Sequence, residues 1–272
     1  MIPIPNSILA GVDAEIDSIL FSLEQLQRGC KYDHPPSCKL LRDISTIKLG
    51  GLGLVGAIYD RIEKNLMRRP KRLPSQKNWE LRPFNEQDVI TKNIIEKNNK
   101  SDEVTLERAI VKKWSEDWWY QMPIASGLFG ASEDKRRAVD LVHSNGNGHF
   151  DFIELKIKSD TPLYAAMEIL GYGLVYIASR MDRMKNLAYV SDQLPVLKAN
   201  KITLCVLAPA NYYSDECSLK WLEMLINDGL DKLDKGNLTM DFRFEQFPKN
   251  FLWNSQMTSS NLPEHLERIS VY

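Results

Sequence analysis

The stretch RAVDLVHSNGNGHFDFIELKIKSDTPLYAAMEILGYGLVYIASR, residues 137–180, decides how the chain folds. Ala138, Asp140 and Val142 alternate with Val139, Leu141 and His143, which is the period of two that a strand requires. Asp140 is therefore expected on a face with small and apolar neighbours, where a buried acid needs a partner. The tract Asn145-Gly146-Asn147-Gly148 tolerates positive φ and predicts a tight hairpin, with Phe150 to Lys158 as the return strand. On that return, Phe152, Glu154, Lys156 and Lys158 fall on one face, and Asp151, Ile153, Leu155 and Ile157 on the other. Ser159-Asp160-Thr161-Pro162 then reads as a helix start with proline just inside it, opening an apolar helix over about 162–180.

Glu154 and Lys156 thus project side by side, with Asp140 on the adjacent strand. Two carboxylates and an ammonium at one sheet surface suit phosphodiester hydrolysis. Two hard oxygen donors, helped by a backbone carbonyl such as that of Leu155, can hold Mg²⁺ or Mn²⁺ and leave positions for water and a phosphate oxygen. The lysine would orient the attacking water and offset developing negative charge. The competing reading is a solvated strand with a cross-face charge pair of little energetic consequence.

These residues resemble the PD-(D/E)xK nuclease superfamily, from the helix near Glu107 to the strand near Leu207. Asp140 matches the motif aspartate, Glu154 the (D/E) position and Lys156 the lysine, while Glu107 in TLERAIVKKW matches the acid that the first helix of such proteins often sends into the site. Glu168 and Tyr172 stand where a branch similar to the RecB exonucleases carries Gln-x-x-x-Tyr. Two positions depart from the pattern: Val139 replaces the nominal proline, and Glu168 replaces the glutamine. The resemblance implies an α/β protein with a restriction-endonuclease-like core, a mixed central sheet flanked by helices in the order α-β-β-β-α-β, and a helical N-terminal extension. It also implies a metal-dependent nuclease acting on nucleic acid, with DNA as the first expectation and a homodimer or larger defence or repair assembly compatible with it. The alternative is a catalytically inactive protein of the same fold that binds nucleic acid or serves as an assembly subunit. Near the metal, Glu168 and Tyr172 would orient substrate or water; away from it they are a helix-surface pair.

Lys plus Arg number 35 and Asp plus Glu 36, so no global basic excess announces a nucleic-acid partner and any contact must come from a local patch. The best candidate is MRRPKRLPSQK, residues 67–77, where Arg68, Arg69, Lys71 and Arg72 stand among prolines. It reads either as a solvated linker or as a phosphate-contacting arm. It also marks the expected boundary between an N-terminal helical region, 1–78, and a catalytic domain, 79–272. No apolar run is long enough for a membrane span and the N-terminus lacks a basic start, so a soluble cytoplasmic protein without a membrane partner is expected. Cysteines at 30, 38, 205 and 217 are too sparse for a disulfide scaffold. The even spacing of Cys30, His34 and Cys38 invites a zinc reading that Pro35 and Pro36 oppose.

Elsewhere the apolar periodicity predicts helices over 13–28, 46–67, 85–97, 103–120 and 215–234. The second and fourth of these matter most: 46–67 contains Gly51, Gly53 and Gly56, a literal G-x-G-x-x-G better explained by tight helix packing than by a dinucleotide, and 103–120 places Leu106, Ile110, Trp114 and Trp118 on one stripe with Glu107 beside it. A short strand is expected at Trp79–Pro83, a strand buried on both faces at Lys201–Pro209, and an edge strand in LTMDFRFEQF. The tail from Pro248 is weakly patterned.

Overall fold

The structure, a computed structural model, describes residues 5–21, 31–34, 37, 51–69, 71–75, 77–83, 101–125, 128–129, 137–181, 187–189, 194–213 and 218–272. In chain order its main elements are α1 (Val12–Phe21), α2 (Gly51–Arg68), α3 (Asp102–Lys113), β1 (Trp118–Pro123), β2 (Ala138–Gly146), β3 (His149–Leu155), α4 (Pro162–Met181), β4 (Lys201–Ala208), α5 (Lys220–Lys232), β5 (Thr239–Gln246) and the two-residue β6 (Ile269–Ser270). The strands form one mixed sheet in the order β1-β2-β3-β4-β5-β6. β1, β2 and β3 run antiparallel to one another, β3, β4 and β5 are parallel, and β6 is antiparallel to β5. From α3 to β4 the order is α-β-β-β-α-β.

The hairpin forms where it was expected. Gly146, Asn147 and Gly148 hold φ of 77°, 52° and 73°, which lets β2 turn directly into β3. α4 begins at Pro162, and Thr161 Oγ1 accepts the Tyr164 N–H at 3.1 Å, satisfying one donor of the first turn. Only Glu168 and Arg180 are charged in its sequence, and it is buried almost all round because β3 and β4 lie on one side and α2 on another. Gly173 sets how close it lies to the sheet: a Cβ there would be 2.6 Å from Leu204 Cδ1 of β4. Arg180, near the end of the helix, reaches Ala199 O and, at 2.9 Å, Asn237 Oδ1, tying the approaches to β4 and β5 together.

Two apolar cores lie on the two sides of the sheet. The larger includes Ile16 and Leu20 of α1, Leu54, Ile58 and Ile62 of α2, most of α4, and Phe152 of β3; the smaller gathers Leu106 and Ile110 of α3 with Leu141, Ile153, Leu155, Phe247 and Trp253. The apolar face expected along α2 is thus buried, and Gly53 and Gly56 lie inside the helix.

Several expectations are corrected. Trp118 belongs to β1 and not to the helix of Leu106 and Ile110: α3 stops at Lys113, Ser115 to Asp117 turn, and the aromatic run pairs with β2 as an edge strand. α3 is preceded by Ser101 with no side-chain cap, and Thr105 turns its hydroxyl back to Ser101 O at 3.1 Å. Residues 79–83 are not a strand; Trp79, at φ 61°, donates to Pro123 O at 2.8 Å and sits buried beside β1. β5 is not outermost, because β6 pairs with its end. The expected helix at 85–97, the ends of the two N-terminal helices, and Cys30, Cys38 and Cys217 lie outside the described residues.

The weakly patterned tail has a definite place. It crosses the smaller core, and Arg268 Nη2 meets Asp151 Oδ2 at 2.5 Å while its Nε lies 3.2 Å from Glu245 Oε2. His143 and His149 each lie 3.3 Å from the same aspartate, Cys205 Sγ donates to Glu245 Oε2 at 3.2 Å, and the Trp118 ring stacks on His143. Asp151 is 1% exposed, and His143 and Arg268 hold its carboxyl well below the usual carboxylate range despite that burial.

Candidate active site at the splayed end of β2 and β3

The ladder between β2 and β3 ends at Leu141–Ile153, although β2 starts at Ala138 and β3 runs on to Leu155. In the opening, Asp140 Oδ2 accepts the Leu155 N–H at 3.0 Å, standing in for the missing backbone partner. The side-chain alternation of β2 breaks there: Val139 and Val142 both join the larger core while Leu141 joins the smaller. Asp140 is therefore not on the flat face shared with Ala138 and Val142 that strict alternation predicts; it turns toward β3. Lys156 N–H donates to Leu207 O of β4 at 3.0 Å, so by strand alternation the Leu155 N–H and carbonyl both face the opening.

Glu154 and Lys156 project together as their spacing requires. Lys156 Nζ lies 2.8 Å from Glu154 Oε1, and 3.5 Å from both Asp160 Oδ2 and Glu168 Oε2. Glu154 is 4% and Lys156 7% exposed, and Glu154 Oε2 is buried with no hydrogen-bond partner. Tyr172 donates to Glu168 Oε1 at 2.9 Å, one turn along α4. Glu168 and Tyr172 are thus part of the cluster and not an isolated surface pair.

Glu107 enters from α3 and is buried at 4% exposure. It reaches the cluster through a residue that sequence reasoning missed. Gln121 of β1 donates to Glu107 Oε2 at 3.0 Å and to Asp140 Oδ1 at 3.4 Å, and its backbone sits at φ 49°, a conformation that side chains rarely adopt. Only a correct reading of 118–123 as a strand beside Asp140 would have found it.

The cluster carries more negative than positive charge. Burial first, then Glu168, pushes Asp140 up to about 6 against the pull of Lys156 and the Leu155 N–H. Burial, with Asp140 and Glu168 nearby, holds Glu154 well above the ordinary glutamate value. Burial alone would depress Lys156, but Glu154, Glu168 and Asp140 outweigh it and keep the ammonium charged far into the alkaline range.

The predicted basic arm lies on a different element. Arg68, Lys71 and Arg72 are exposed at the end of α2 and just beyond it, and Arg69 donates to Leu66 O at 2.7 Å. No described helix is long and apolar enough to cross a membrane.

A divalent cation fits the chemistry of the opening. Asp140 and Glu154 are hard donors whose ionised forms are disfavoured as they stand, the Glu154 Oε2 atom is buried and orphaned, and the Leu155 carbonyl faces the same gap. Among the described residues no group of three or more His, Cys, Asp or Glu side chains is arranged to hold a metal. A cation here would rest on two carboxylates and a carbonyl, with water completing its shell. No protein-family model, curated protein or solved structure matches the chain.

Proposed function

We propose that this protein is a Mg²⁺- or Mn²⁺-dependent nuclease of the PD-(D/E)xK kind, hydrolysing phosphodiester bonds of nucleic acid, with DNA as the first substrate to test. The observation that carries this reading is the meeting of Asp140, Glu154 and Lys156 at the opening between β2 and β3, with the Lys156–Glu154 contact at 2.8 Å. The α-β-β-β-α-β order around it and the buried Glu107 on the first of those helices agree with it.

In this reading Asp140, Glu154 and the Leu155 carbonyl would hold the cation, whose chemistry there would be to offset charge on a phosphate oxygen and to acidify water. Lys156 keeps its proton and donates to the attacking water and to the oxygens that gain charge. Gln121 holds Asp140 and Glu107 at a fixed separation, and Glu168 with Tyr172 limits where Lys156 can swing.

Purified protein incubated with plasmid, linear duplex, single strand and RNA, with Mn²⁺ or with EDTA, tests the proposal. Cutting is expected only with the cation, and Glu154→Ala and Lys156→Ala should each abolish it while circular dichroism stays native. Cutting that survives in both variants would remove these residues from the mechanism. A second reading, an inactive binding or assembly subunit, draws on the contact of Lys156 with three carboxylates, which can hold it away from any substrate. It predicts nucleic-acid binding equal with and without EDTA.

A further inference from the structure

Between α1 and α4, beside the cluster, lies a partly enclosed cleft of about 60 Å³. Glu168 and Tyr172, the pair that faces Lys156, form one of its walls, so cleft and catalytic opening are adjacent. Tyr32 and Tyr164 line it as well, with ring centroids 5.8 Å apart and planes inclined by 13°. Tyr32 is fixed from both ends: its N–H donates to Asp17 Oδ1 at 2.8 Å and its hydroxyl to Asp13 Oδ1 at 2.6 Å. Val12, Ile16 and Met167 make the remainder apolar, and Asp13 and Arg137 put one charge of each sign at its polar edge.

We infer that this cleft takes the base of an unpaired nucleotide next to the scissile phosphate, so that single-stranded nucleic acid or a frayed end is the preferred substrate. The inference rests on the nuclease reading and specifies its substrate class. A nucleobase has two apolar π faces and an edge of donors and acceptors. An aromatic and aliphatic lining suits the faces, Asp13 and Glu168 can accept from ring and exocyclic N–H groups, and Arg137 is the donor for a flanking phosphate. In a duplex the same base is stacked and paired, and must be extruded before it can pass between two helices.

Gly171 makes a clean test possible. It lines the cleft from α4, and a Cβ there would meet Leu9 Cδ2 at 3.7 Å, an ordinary contact. Gly171→Ala therefore narrows the cleft without a clash and removes a glycine from a helix interior, which favours folding. Tyr164→Leu removes an aromatic wall at a partly exposed position, and Tyr164→Phe keeps it. Each is made in the Glu154→Gln protein, and binding of a short fluorescein-labelled single strand and of the blunt duplex of the same sequence is followed by anisotropy. The single strand is expected to bind at least about tenfold more tightly than the duplex. Gly171→Ala and Tyr164→Leu should each weaken it about tenfold with the duplex unchanged, and Tyr164→Phe should bind as the parent does. Equal binding of the two forms, or no loss in Gly171→Ala and Tyr164→Leu, overturns the inference. The fate of the nuclease reading is seen separately in wild-type protein with Mn²⁺. A single-strand preference without cutting ends that reading and keeps the cleft as a nucleotide site, whereas cutting of both forms at one rate keeps the reading and ends the cleft.

Discussion

Asp151 and Glu154 stand on one strand, on opposite faces of the same sheet, and both are nearly sealed from water at 1% and 4% exposure. Around Asp151 the protein has gathered Arg268, His143 and His149, and its carboxyl is held well below the usual range. Around Glu154 it has gathered Asp140 and Glu168 as well as Lys156, and the carboxyl is held well above it. A buried acid is tolerated when its charge is matched, so the first is structural. The second is kept at a cost in stability, which is the usual mark of a site waiting for a partner.

The sharpest way to break this contrast is chemical. Glu154→Gln should lower metal-dependent cleavage by a factor of about a thousand or more while leaving the denaturation midpoint equal to or above that of wild type, because it removes charge from an over-acidic cluster. If cleavage persists, the cluster is not the site. On the other face, Arg268→Ala should cost about 3–5 kcal/mol in urea unfolding by stranding Asp151, with cleavage by the remaining folded protein near normal. A loss under 1 kcal/mol would mean that the two histidines suffice.

Proton linkage gives a subtler comparison. Asp140 titrates near 6 in the folded protein against an ordinary value of 3.8, so the folded state binds the extra proton between those pH values. That contribution favours folding at low pH and is lost as pH rises through about 6. Asp140→Asn should therefore raise stability at pH 7.5 by on the order of 2 kcal/mol relative to wild type, and by little at pH 4. Asp151 has the opposite sign, contributing stability above its ordinary value that is lost as pH falls. Mn²⁺ should raise Tm in wild type more at pH 7.5 than at pH 5, and not at all in Asp140→Asn. A shift that is independent of pH would place the ion elsewhere. The smallest expected effect is at Gln121, where Gln121→Ala should slow cleavage about tenfold and Gln121→Gly less, since glycine relieves the backbone strain at φ 49°.

What the sequence revealed follows the range of the interactions. The hairpin, α4 and β4 are encoded by adjacent residues through alternation, turn chemistry and an apolar run, and all three were legible, as was the pairing of Glu154 with Lys156 two positions on. β1 was misread because Trp114 and Trp118 extend the helical stripe of Leu106 and Ile110 by accident of spacing, and with it went Gln121 and the break at Asp140. The pairing of Asp151 with Arg268 joins residues 117 positions apart and leaves no local signature in a tail that has little pattern of its own. The cleft was hidden for the same reason, since its walls come from α1, the segment near Tyr32 and α4.

Arg268 has a consequence for the order of events at the ribosome. Strand β3 leaves the ribosome well before the guanidinium that neutralises its aspartate, which lies 117 positions further on, and strand β6 lies just after that guanidinium. A nascent chain paused before that point can pair its strands and bury its helices, yet it holds an anion on an uncovered face with only two imidazoles for company. Completion of this sheet therefore waits for Arg268 and β6, and the chain should become protease-resistant in an abrupt step only once both have emerged.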